Sequence, residues 1–281
     1  MIDEVVFLRH GRTSYNLARR MQGQIDVPLD IIGQWQVDQS ALELASAYYW
    51  AKVSRLARNP ERLAQPGPQA AERSEIEEYR QAPAAGRTMR VVASDLFRAQ
   101  QTAHAFADIL GLPVTCDTRL RERSFGRWEG LTRAEIMQMD AVAYEEWRTN
   151  YSGGQRYGVE SLGALGRRGA AAIEDLIEQG NEQQESGTLV IVGHGSWIIA
   201  TIHTLLGEDP ETSQSLDSVR NAFWSRMAPQ YAVSSHDAGH TAAISWRLEE
   251  FNHGPAIASR MDWENGPAEL RGPHMKLWQA L

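Results

Sequence analysis

The sequence predicts an α/β fold: three layers, α/β/α, with a mostly parallel central sheet and a helical cap inserted before the last of the strand-end motifs. Two observations carry this prediction. Three short runs, "EVVFL" (4–8), "RVVAS" (90–94) and "TLVIVG" (188–193), are β-branched and apolar without alternation, as strands are when both faces of a parallel sheet are covered. Each is followed by a helical pattern, and strands alternating with helices make parallel α/β sheets.

The elements follow in chain order. After the first strand come helical patterns over 13–20 and 33–57. Residues 58–88 hold four of the eleven prolines and few large apolar side chains, which predicts a surface insertion with one short helix near 69–81. The second strand leads into a helix near 97, and "LPVTCD" reads as a further buried strand. The stretch 123–160 is rich in Trp, Arg and Glu and lies between two core strands, which suits a cap. An amphipathic helix covers 161–179, and another starts near 197 after the third strand. "VRNAFWSRM" (219–227) and "TAAISWRLEEFN" (241–252) read as strands at the sheet edge, joined by a Gly/Ser/His loop. The expected organisation is one domain over 1–252 and a tail, 253–281, packed on its surface.

Composition narrows the function. The 281 residues include 42% apolar and 23% charged side chains, ordinary for a globular protein, with a net charge of −8. No long Lys/Arg run appears, so a nucleic-acid partner is not expected. The acidic N-terminus lacks the features of a signal peptide, and no apolar stretch reaches the roughly 18 residues of a membrane span; a cytoplasmic protein without a membrane partner is expected. The single cysteine, Cys116, excludes an internal disulfide and a multi-Cys zinc site, and is expected to be an inert core thiol. His236 and His240 have i,i+4 spacing, but the Gly and Ser around them argue for a loop rather than a zinc site. "GHGSW" lacks the glycine spacing of a nucleophile elbow, and no Lys follows a Gly-rich loop.

The strand ends carry the chemistry, because ligands of such folds gather beyond the carboxyl ends of the strands. The first ends in Arg9-His10-Gly11, with Thr13 and Asn16 one turn on. The second places Ser94 and Arg98 at its turn, the third His194 and Gly195. Two arginines and two histidines on one rim need an anionic partner, and a phosphoryl group supplies one, since Arg suits bidentate phosphate contacts and helix N-termini add N–H donors. Glu122, between Arg121 and Arg123, is a candidate proton donor to a leaving group; a surface ion pair with either arginine is the alternative.

"LRHGRTSYN", "SDLFRAQQTA", "LRERSFGRWEG" and "VGHGS" stand in the order seen in the histidine phosphatase superfamily. The chain resembles its branch containing cofactor-dependent phosphoglycerate mutases and broad-specificity phosphatases, from residue 4 to about 206, interrupted by 58–88. The resemblance implies a phosphomonoester phosphatase acting on a small phosphorylated metabolite, with no metal or other cofactor. His10 would be the nucleophile that forms a phosphohistidine, Arg9, Arg98 and His194 would clasp the phosphoryl oxygens, and Glu122 would serve as acid and then base. Asn16, Gln22, Gly23 and Gly195 would contribute phosphate or substrate contacts, and Glu160 structural support. A cofactor-dependent phosphoglycerate mutase is the alternative, and a non-catalytic phospho-ligand module a third reading. Flanks such as "RWEGLTRAEI" are closer to the phosphatases. Arg12 departs from the family's usual acidic residue; it either favours a more anionic substrate or is a solvated surface charge. The specific substrate and the oligomeric state stay open, a homodimer being one option.

Overall fold

A computed structural model of the chain describes residues 1–59, 87–150, 152–182, 187–231 and 244–279. The expected helix at 69–81 and the pair His236/His240 lie outside these residues.

Among the described residues six strands form one sheet in the order β3-β2-β4-β1-β5-β6. They are β1 (Ile2–Arg9), β2 (Thr88–Ala93), β3 (Val114–Cys116), β4 (Gly187–Gly193), β5 (Trp224–Tyr231) and β6 (Ile244–His253). The first four run parallel to one another, while β5 pairs antiparallel with β1 and β6 antiparallel with β5. Side-chain alternation sorts the core into two layers. Val5, Phe7, Leu189 and Ile191 face a cluster shared with helices α6 (Leu162–Glu182) and α7 (Gly195–Leu205). Val6, Leu8, Val190 and Val192 face the other, under α2 (Ile31–Ala47), α3 (Tyr49–Arg58) and α4 (Phe97–Leu110). Both faces are covered, which is why these strands are apolar throughout.

The helix after β1, α1 (Ser14–Leu17), is a single turn, shorter than the 13–20 pattern suggests. The four-residue α1 is closed at its start by a reciprocal capping box between Thr13 and Asn16. The cap holds α5 (Arg133–Asn150), which breaks at Asp140 and restarts where the Asp140 carboxylate accepts from the Ala143 N–H at 2.9 Å. Its own small core gathers Phe125, Trp128, Ile136, Ala143, Tyr144 and Val159.

Three expectations are corrected. β5 is interior to the sheet, and only β6 forms that edge. β5 also runs on to Tyr231, taking in the first residues of the predicted loop. Cys116 is exposed rather than buried: β3 has three residues, pairs with β2 alone and ends at this position. Partial burial and Asp95 push its thiol pKa up, the opposite of activation. Farther along the chain, Trp263 is buried against Trp35 and Phe223 in the main core.

Candidate active site

Strand register sets the site. Arg9 pairs with Gly193 across β1 and β4, and Ala93 with Val192 across β2 and β4, so the three strand ends stand level. The ladder continues one step past them, His10 donating its N–H to the Gly193 carbonyl at 3.0 Å and Ser94 to Val192 at 2.9 Å. His10 and His194 therefore leave neighbouring strands side by side, their ring centroids 5.1 Å apart.

His10 is held on every side. Its carbonyl accepts from the Ala222 N–H at 3.1 Å and from Asn221 Nδ2 at 3.0 Å. Its Nδ1 meets the Gly11 carbonyl at 2.7 Å. A carbonyl only accepts, so Nδ1 carries the proton and Nε2 keeps its lone pair. Burial drives the pKa of His10 well below the ordinary value, and the charges of Arg98 and Arg9 lower it further. The ring is neutral, which is the state a nucleophile requires. His194, at the N-cap of α7, is fully buried and shifted the same way, by burial first and then Arg98.

The glycine after His10 explains how tightly this turn is packed. A Cβ on Gly11 would stand 2.5 Å from the Gly33 carbonyl oxygen, and a Cβ on Gly33 would stand 1.9 Å from that of Arg12. The turn lies directly on the first residues of α2. The Gly11 N–H donates to Thr102 Oγ1 at 3.3 Å, tying it to α4 as well.

Arg98, on the first turn of α4, is fully buried. Its Nη1 donates to the Ile25 carbonyl at 2.8 Å and its Nη2 to that of Gly23 at 2.7 Å, which leaves Nε without a partner. Burial depresses its pKa to about 10. Gly23 thus reaches the site through Arg98, and its positive φ of 53° is one a side chain rarely adopts. Arg9 donates Nη1 to the Val219 carbonyl, and its Nε also lacks a partner. A Cβ on Gly195 would stand 3.2 Å from the Arg9 Cζ, so that glycine admits the guanidinium to the start of α7.

Glu122 sits at the same helix start. Its Oε1 accepts from the N–H of Arg123 at 2.8 Å and of Trp197 at 3.1 Å, and its Oε2 from that of Ser196 at 3.2 Å. The two arginines beside it are engaged elsewhere, Arg121 with Asp95 at 2.5 Å and Arg123 Nε with the Glu160 carbonyl at 2.6 Å. The Glu160 carboxylate accepts from the Ser124 N–H at 3.1 Å and pairs with Arg168 at 3.0 Å. Asn16 Oδ1 accepts from the Thr13 N–H at 3.0 Å and from Asn221 Nδ2 at 3.4 Å, so what Asn16 can offer a ligand is its Nδ2 donor. Gln22 accepts from the Thr13 hydroxyl and is buried.

The unsatisfied donors decide what this pocket can hold. Buried polar groups normally find partners. Among the described residues Arg9 Nε, Arg98 Nε and both ring nitrogens of His194 have none, beside the imidazole of His10. The arrangement is built for a tetrahedral anion with phosphorus or a similar centre facing His10.

Several contributors have surroundings that the sequence did not show. Arg12 is neither at the surface nor solvated: it is 2% exposed and bound to Asp30 at 2.9 Å. Its backbone N–H donates to Gln36 Oε1 at 2.9 Å, Gln36 Nε2 to the Trp263 carbonyl at 2.8 Å, and Trp263 Nε1 to the Asn221 carbonyl at 3.0 Å. With Asn221 on the His10 carbonyl, this chain encircles the turn that carries His10. Arg168 Nη1 donates to the Arg119 and Arg121 carbonyls at 2.6 and 2.9 Å, fixing the segment that carries Glu122. The eight-residue separation of Glu160 and Arg168 is the only trace of that clamp in the sequence.

Comparison with known proteins agrees with the geometry. A family model described as histidine phosphatase superfamily (branch 1) matches residues 5–63 and 69–233. A glucosyl-3-phosphoglycerate phosphatase of Mycolicibacterium vanbaalenii is 30% identical over 261 residues, 92% of this chain and 98% of that protein. A probable phosphoglycerate mutase GpmB of Yersinia enterocolitica is 29% identical over 228 residues, 80% of this chain and 84% of its own length. Among solved structures, mycobacterial glucosyl-3-phosphoglycerate phosphatase Rv2419c in complex with VO3 superposes with a TM-score of 0.61 at 28% identity, covering 89% of this chain and 98% of that one. The complex of the same phosphatase with inorganic phosphate gives 0.62 at 27%, covering 90% and 98%.

Proposed function

The chain belongs to branch 1 of the histidine phosphatase superfamily and is a phosphatase, and we propose that it removes the phosphoryl group of a glucosyl-3-phosphoglycerate-type substrate through a phosphohistidine at His10. The observation that carries this reading is the set of orphaned donors on Arg9, Arg98 and His194 around a neutral His10.

In the first step the His10 Nε2 lone pair attacks phosphorus and the ester P–O bond breaks. Arg9, Arg98 and His194 stabilise charge on the equatorial oxygens, and the departing alkoxide takes a proton from Glu122. In the second step Glu122 removes a proton from water, the water oxygen bonds to phosphorus, and the N–P bond breaks to release phosphate and restore His10. The three N–H donors that grip Glu122 fix its orientation for both transfers. Next to Ser196, one of those donors, opens a cavity of about 340 Å³ lined by Phe125, Trp147, Leu162 and Leu216 among others. Arg123, His203, Ser213, Asp217 and Ser218 join its lining, and a space of that size with aromatic and polar walls beside the acid fits a bulky, ring-bearing, hydroxylated leaving group.

The deciding experiment is rapid quenching in alkali after mixing with labelled substrate, since a phosphoramidate survives base and is labile in acid. Alkali-stable label on the wild-type chain, none on His10→Ala, and release of inorganic phosphate are expected. Full activity in His10→Ala would overturn the assignment. The relatives include a probable mutase, so interconversion of phosphoglycerates with a bisphosphate primer is assayed in parallel.

A further inference from the structure

We propose that the cavity beside Arg9 is a second anion subsite, one that takes a carboxylate attached to the phosphorylated carbon chain, with Arg12 and Arg220 as its specificity residues. The proposal deepens, and rests on, the phosphatase reading above.

This cavity, about 370 Å³, is lined by Arg9, Arg12, Asn16, Arg220, Asn221 and Glu264 among others. Arg9 is the shared wall. Its guanidinium lies against Gly195 at the catalytic rim and also lines this cavity. Asn221, which donates to the His10 carbonyl at 3.0 Å, lines the cavity too, so the second cationic compartment adjoins the turn that carries His10.

Arg12 supplies the second, independent observation. It is 2% exposed, its Nε is bound to Asp30 at 2.9 Å and its Nη1 to the Glu264 carbonyl, while its Nη2 is buried with no partner among the described residues. An unused donor on a buried guanidinium is costly unless a ligand takes it. Arg220 donates Nε and Nη2 to one oxygen of Glu264, at 3.2 and 3.0 Å, and lies over the Phe223 ring at 4.7 Å, with its side chain 40% exposed at the cavity wall.

Charge selects the ligand. The three arginines face two carboxylates, Asp30 and Glu264. Arg12 and Arg220 are each matched by one of these carboxylates and Arg9 is shared with the phosphoryl pocket, so the compartment has little charge to spare and a monoanionic carboxylate fits better than a second, doubly charged phosphoryl group. Ser218 lines both this cavity and the one holding Phe125 and Trp147. A branched three-carbon unit near Ser218 can send its carboxylate to the arginines and a ring substituent to the aromatics.

The test compares kcat/KM for 3-phosphoglycerate and its glucosyl derivative with that for glycerol 3-phosphate, which has a hydroxymethyl group in place of the carboxylate. The wild-type chain is expected to prefer the carboxylates by about tenfold or more, the worth of one charge-assisted hydrogen bond. Arg220→Gln is expected to erase most of that preference while changing glycerol 3-phosphate turnover by less than about threefold. Glu264→Gln, which removes a competing carboxylate, is expected to lower KM for the carboxylate substrates alone. Equal losses on both substrate types, or no wild-type preference, would overturn the subsite and leave the phosphatase reading standing. A preference for 2,3-bisphosphoglycerate lost in Arg220→Gln would reassign the cavity to a second phosphoryl group. Arg12→Gln leaves Asp30 unpaired beside the core, so Arg220→Gln decides the matter if that variant does not fold. Failure of the wild-type chain to hydrolyse any of these esters would sink both readings.

Discussion

The imidazoles of His10 and His194 lie with centroids 5.1 Å apart and planes tilted by 59°, both fully desolvated and both next to Arg98. Two charged imidazoles at that separation would repel each other and the arginines. The pair is therefore stable only uncharged, and the cations are left to the ligand.

From this follows a pH dependence of stability. The folded-state pKa values of both histidines lie below the ordinary 6.5 of the unfolded chain. Below 6.5 the unfolded chain binds protons that the folded chain refuses, so stability is complete above that value and falls as pH drops. Each histidine contributes a slope of at most about 1.4 kcal/mol per pH unit. Urea unfolding between pH 5 and 8 should show this decline, and His194→Asn should reduce its slope. An unchanged slope in the variant would show that His194 takes up its proton as readily folded as unfolded.

Glu122 is predicted to act in both half-reactions, and a good leaving group separates them. With p-nitrophenyl phosphate, whose phenolate needs no proton, Glu122→Gln should give a burst of one nitrophenolate per enzyme and then turn over slowly. With an alkyl phosphate no burst should appear, and kcat should fall by about 10²–10⁴-fold. Stopped-flow absorbance reads the first, phosphate release the second. A normal steady state with both esters would remove Glu122 from the chemistry.

Two glycines should respond in opposite ways to one added methyl group. Gly33→Ala drives a Cβ to within 1.9 Å of the Arg12 backbone oxygen, which cannot yield without moving the turn that carries His10. That overpacking should cost about 1–3 kcal/mol of stability and lower kcat as well. Gly195→Ala meets the Arg9 guanidinium at 3.2 Å, the far end of a side chain. It should leave the melting temperature within a few degrees and still weaken phosphate affinity, because Arg9 is displaced from the pocket. Thermal melts and phosphate inhibition constants distinguish the two.

How much of this was legible depended on whether a residue's role followed from its place in the chain. Arg9, His10, Arg98 and His194 could be read because each follows an apolar strand, and level strand ends bring them together. Arg12 could not, since nothing local shows that Asp30 and a carbonyl from residue 264 will enclose it. Cys116 misled for the converse reason: "LPVTCD" has strand composition, but burial depends on what pairs beyond β3, and sequence order does not give the order of strands in a sheet. Trp263 lies in a Pro- and Gly-rich tail whose composition resembles a surface strap, yet one aromatic anchor outweighs its polar neighbours.

That anchor gives the last prediction. Trp263 is 1% exposed, packs on Trp35 and Phe223, and joins Gln36 to Asn221 through its carbonyl and Nε1. Trp263→Ala should cost about 3–5 kcal/mol, the usual penalty for emptying an aromatic site in a core. Trp263→Phe keeps most of the packing but removes the donor to the Asn221 carbonyl, so it separates the two roles. If the bond positions Asn221, and through it the His10 carbonyl, kcat should fall more than stability does. Equal stability and unaltered kinetics in Trp263→Phe would reduce the tail to a packing element with no part in holding His10.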